Sequence, residues 1–71
     1  MSDVQLRVNG EPRRVQSGLT VEVLVSSMAA VPEGRGVAVA VDGEVVPRGA
    51  WGRTALPAGA RVEIVTAVQG G

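Results

Sequence analysis

Two dipeptides, Asn9-Gly10 and Asp42-Gly43, decide most of what this chain can fold into. Both accept positive φ and so fit the two-residue turns that join antiparallel strands. Before the first turn, Val4, Leu6 and Val8 alternate with Asp3, Gln5 and Arg7, the period of a strand with one buried face. After it, Arg13 to Gln16 returns as a second strand around Val15, and Pro12 suits an edge or a strand start. Arg13-Arg14 reads as a solvated edge, where charge guards against unwanted pairing. Before the second turn, Val37 to Val41 is a β-branched run broken by alanines, which predicts a buried central strand. Glu44 to Val46 pairs back, and Pro47 stops it by withholding a backbone donor.

Between the two hairpins the period changes. Ser17-Gly18 breaks the strand and Thr20 is placed to cap a helix. Val21, Leu24, Val25 and Met28 then share one helix face, opposite Glu22, Ser26 and Ser27, and Pro32 and Gly34 end the helix. Valine is only a moderate helix former, so packing must hold this segment. After Pro47, Arg48 to Trp51 predicts a short turn of 3₁₀ character. Leu56 is an isolated apolar anchor before the turn Pro57-Ala58-Gly59. Arg61 to Val68 is the last strand, with Val62 and Ile64 on one face and Glu63 and Val65 on the other. The expected class is α+β, a sheet with one helix packed across a single face. The last strand is expected centrally, beside the first.

Composition excludes several kinds of function. Seventy-one residues make one small domain, with little room for an enclosed catalytic site. Lys and Arg number 7 against 7 acids, so no basic surface invites nucleic acid or an anionic membrane. Without Cys there is no disulfide or thiolate, and without His the usual neutral-pH acid–base catalyst is missing. All seven cations are Arg, so no side-chain amine is present. No run is long enough to span a membrane and no signal peptide opens the chain, which makes the cytoplasm the expected location.

The sequence ends in Gly70-Gly71. Two glycines are thin, flexible and poor at packing, so such an end can thread a narrow channel and present its α-carboxylate; fraying is the simpler alternative. The boundaries expected are a domain over 1–68 and a tail over 69–71, with Gln69, Gly70 and Gly71 reaching about 10 Å beyond it when extended.

This element order with a Gly-Gly end resembles the ubiquitin-like β-grasp fold, and more closely the ThiS family of thiamine-biosynthesis sulfur carriers. The resemblance rests on Asn9-Gly10, on Leu19-Thr20-Val21 with Leu24, and on Val39 to Arg48 followed by Trp51. Val46-Pro47-Arg48, then Trp51, then the terminal Gly-Gly form the more specific part. An aromatic residue common in the family's last strand is missing here, where the run is Ile64-Val65-Thr66-Ala67-Val68.

The resemblance implies a mixed sheet of four to five strands on one main helix, and chemistry carried by Gly71. A ThiF-like adenylyltransferase would use ATP and Mg to join the Gly71 carboxylate to AMP; the carrier itself would bind no cofactor. A sulfur donor such as a cysteine desulfurase would displace AMP, leaving a thiocarboxylate for a ThiG-like thiazole synthase. The carrier would be acted upon and would not itself be an enzyme. It would be a monomer that forms transient complexes, although an apolar sheet face could support self-association. Arg48, Trp51, Val65 and Ala67 are the candidate partner-docking residues. Against that role, Arg48 reads sooner as a solvated turn residue and Trp51 as a packing residue, while loops could equally cover Val65 and Ala67. A molybdopterin-pathway carrier, a ubiquitin-like protein modifier and a plain binding module are the competing readings.

Overall fold

The computed structural model describes residues 2–28 and 36–66. Pro32 and Gly34, Ala67, and the Gln69-Gly70-Gly71 end fall outside the described residues, as do both ends of the 1–68 domain range.

Both turn signals make hairpins. Asn9 and Asp42 have φ of 53° and 52°, followed by Gly10 at 85° and Gly43 at 86°. The first turn joins β1 (Asp3–Val8) to β2 (Glu11–Gln16), and the second joins β3 (Val37–Val41) to β4 (Glu44–Val46). β5 (Arg61–Thr66) lies between the hairpins in a sheet ordered β2-β1-β5-β3-β4. It runs parallel to β1 and antiparallel to β3. The last strand is therefore central and beside the first, as expected. Five strands of mixed direction over one helix form the β-grasp arrangement of the α+β class.

The helix α1 (Val21–Ser26) starts where the cap was expected: the Thr20 hydroxyl oxygen accepts from Val23 N–H at 3.3 Å. Val21, Leu24 and Val25 are buried against the sheet with Leu6, Val8, Val39, Val62 and Ile64, and Met28 packs at the margin. A 3₁₀ helix (Arg48–Arg53) follows β4, two residues longer than the predicted turn. Its extension is held from within, since Thr54 Oγ1 donates to Ala50 O at 2.6 Å and Arg53 donates to Gly49 O at 3.2 Å.

One expectation needs correcting. The apolar run of β3 suggested a strand buried on both faces. Val39 is buried, but Ala38 is exposed and Ala40 half-exposed. With the helix on one face only, β3 alternates like its neighbours, and its alanines are simply the open side. Leu56 is anchored as read: its N–H donates to Leu19 O at 2.8 Å, Val21 N–H donates to Thr54 O at 3.0 Å, and its side chain is buried. Among the described residues, no helix is long and apolar enough to cross a membrane.

Candidate functional site

β5 is the last described element before residues 67–71. Its buried residues, Val62 and Ile64, face the helix, and Val62 is wholly enclosed. On its β3 side the ladder runs from Val41–Val62 to Val37–Thr66. On its β1 side the described register covers only Arg7–Arg61 and Val8–Val62, because β1 ends there in the Asn9-Gly10 turn.

Both turn residues reach back to β5. Asp42 N–H donates to Arg61 O at 2.7 Å, and Arg61 N–H donates to Asp42 Oδ1 at 2.9 Å. At the other end, Ile64 N–H donates to Asn9 Oδ1 at 2.8 Å and Asn9 Nδ2 donates to Ile64 O at 3.3 Å. The central strand is thus gripped near its start from one flank and near its end from the other. The sequence identified these two residues as turn formers; their second role depends on a register that no local pattern contains.

The face away from the helix is open. Ala38 stands opposite Val65, and Ala40 stands between Val45 and Glu63. Val65 is 64% exposed and Val45 is 71% exposed. These aliphatic groups form a small cluster beside the outgoing end of β5, with Arg7 and Arg61 paired further back along the strand. Val65, an expected docking residue, is therefore available to a partner rather than covered by loops. Val45 was not singled out; the alternation in β4, with Val46 facing in and Val45 out, is the signal that marks it.

Trp51 is placed differently. It is only 5% exposed within the core, and its indole N–H donates to Val46 O at 3.0 Å. That is the packing role, with the ring locking the connector onto the end of β4. The exposed Arg48 guanidinium lies over this ring, 5.5 Å from its centroid, so the two residues act as one cap on the connector. Among the described residues, no group of three or more His, Cys, Asp or Glu could hold a metal ion.

The sequence model of the ThiS family matches residues 6–71, a span that starts in β1 and includes the terminal glycines. This chain belongs to the ThiS family. A ThiS protein of known structure, the thiamine biosynthesis protein of Geobacter metallireducens, superposes with a TM-score of 0.78. It is 34% identical, and the match covers 96% of this chain and 100% of that one. A thiazole synthase of Paramagnetospirillum magneticum (strain ATCC 700264 / AMB-1) is 34% identical over 68 residues. There the match takes in 96% of this chain and 20% of the relative, so the ThiS-like region spans about one-fifth of that protein.

Proposed function

We propose that this ThiS-family chain carries sulfur for thiazole formation in thiamine biosynthesis, with the Gly71 carboxylate as the carrying group. The observation that carries the reading is the family match extending through Gly71, five residues after the end of the central strand. A free carboxylate is a poor acyl donor. Joined to AMP at the expense of Mg-ATP, with release of pyrophosphate, it becomes a mixed anhydride with a good leaving group. A persulfide then attacks the carbonyl and expels AMP, giving an acyl persulfide. A thiol then attacks the donor cysteine's own sulfur, forming a disulfide with it as the S–S bond breaks, and the thiocarboxylate remains on Gly71. Gly70 presents no side chain to a narrow channel. The thiazole synthase relative, one-fifth of which resembles this chain, supports a thiazole synthase as the acceptor.

The test is intact mass spectrometry after incubation with Mg-ATP, the adenylyltransferase and a sulfur source. The expected product is heavier by the exchange of one oxygen for sulfur, localised to Gly71 and consumed on addition of thiazole synthase together with the carbon substrates of the thiazole. An active enzyme that leaves the mass unchanged rejects the reading.

The open face supplies the second half of the proposal, the surface that the activating enzyme holds. Val65→Asp places a charge in that aliphatic cluster. It should raise the KM for the carrier about tenfold while costing less than about 1 kcal/mol in stability, because the position is solvated. Titrating the variant against the adenylyltransferase checks this; an unchanged KM would remove Val65 from the interface.

A further inference from the structure

Asn9 is used twice. Its main chain makes the hairpin turn, while its side-chain amide brackets Ile64 in β5. Parallel strands bond in an evenly spaced ladder, and the last main-chain step here is Asn9 N–H to Val62 O at 2.9 Å. The next step would take the carbonyl of position 9 to Ile64 N–H. The turn redirects that main chain, and the Asn9 amide takes its place, with Oδ1 accepting from Ile64 and Nδ2 donating to it. Val65 and Thr66 pair with Ala38 and Val37 of β3, but the β1 register has ended before them. The amide is thus the last described grip on the β1 flank of the strand that leads toward Gly71.

We propose that Asn9 is a positioning residue for the carboxyl-terminal reaction, holding the outgoing end of β5 in the extended line from which that end is presented. This rests on the sulfur-carrier reading above. A strand end paired on one flank opens locally at lower cost than one paired on both. An enzyme that must receive an ordered strand end binds only the fraction already in line, so its apparent affinity falls with that fraction. The chemistry at the carboxylate is unchanged once the chain is bound. Loss of the bracket therefore acts on KM and leaves kcat alone.

The test uses the full-length chain with Asn9→Gly, which keeps positive φ and removes the amide. Mg-ATP and the adenylyltransferase supply the assay, with pyrophosphate release followed against carrier concentration. Loss of two hydrogen bonds is expected to raise KM about threefold to tenfold, with kcat held within about twofold. In the same variant the Ile64 amide should exchange with deuterium faster, while the thermal melt shows a fully folded chain at assay temperature. General destabilisation would leave KM unmoved while the chain stays folded. Asn9→Asp, which also tolerates the turn, covers the case of a poorly folded glycine variant. It keeps an acceptor for Ile64 N–H and sets an oxygen against Ile64 O, so its KM should rise as well. An unchanged KM in a folded variant, or a fall confined to kcat, overturns the assignment. A wild-type chain that releases no pyrophosphate overturns the carrier reading and the assignment with it, and that arm separates the two failures.

Discussion

Trp51→Ala should leave most of the chain unfolded at room temperature. Trp51 is the largest side chain of the core and the only aromatic residue in the sequence. Truncating a buried Trp typically costs about 3–5 kcal/mol, the transfer of the ring plus the cavity it leaves. A single core in a chain this short rarely supplies more than about 3–5 kcal/mol in total. The substitution also deprives Val46 O of its donor and Arg48 of the ring beneath it. Trp51→Phe separates these effects: it retains most of the apolar area and loses only the indole N–H, at about 1–3 kcal/mol. Far-UV circular dichroism through a thermal ramp is the measurement. A cooperative alanine-variant melt close to wild type would show that the ring adds little to the core.

Deleting Gly71 should have the opposite profile, abolishing activation while leaving the fold intact. The described core draws on residues from Leu6 to Ile64, well short of the deleted position. The new carboxylate, on Gly70, is drawn back toward the domain by about 3.3–3.6 Å. A misplacement of about 1 Å can cost about a hundredfold in rate, so kcat/KM should fall by at least that much. Pyrophosphate release and intact mass would both report it. A deletion variant that still gains sulfur at the wild-type rate would move the chemistry off Gly71.

These two residues also show where the sequence was informative. The turns at Asn9 and Asp42, the Thr20 cap and the buried alternation of β1 and β5 are set by local chemistry, and local chemistry is written in neighbouring letters. Trp51 was legible as a packing residue because a large ring in a small apolar chain has few other places to go. β3 misled because its alanines carry no polar mark to show which side faces water. The open face was only half visible: Val65 was identified, but Val45, Ala40 and Ala38 join it through cross-strand register. The bracket from Asn9 to Ile64 was invisible for the same reason, since it links residues far apart in the chain. Gly70 and Gly71 stood out by position, their chemistry came only from the resemblance, and the family match includes both residues.

The central place of β5 has a consequence for how the molecule is made. Each hairpin can close once its returning strand has left the ribosome, but neither can join the other in the sheet until β5 has been synthesised. That joining depends on distant pairings, which are the slow ones in folding. Newly made chains should therefore pass through a stage with two separate hairpins and exposed valines, the stage most prone to aggregation. The strand that completes the sheet is also the one that precedes residues 67–71, so under the proposed function a chain that has not finished folding would offer no ordered base for activation. On the sulfur-carrier proposal, folding would then stand as a checkpoint before any ATP is spent at Gly71.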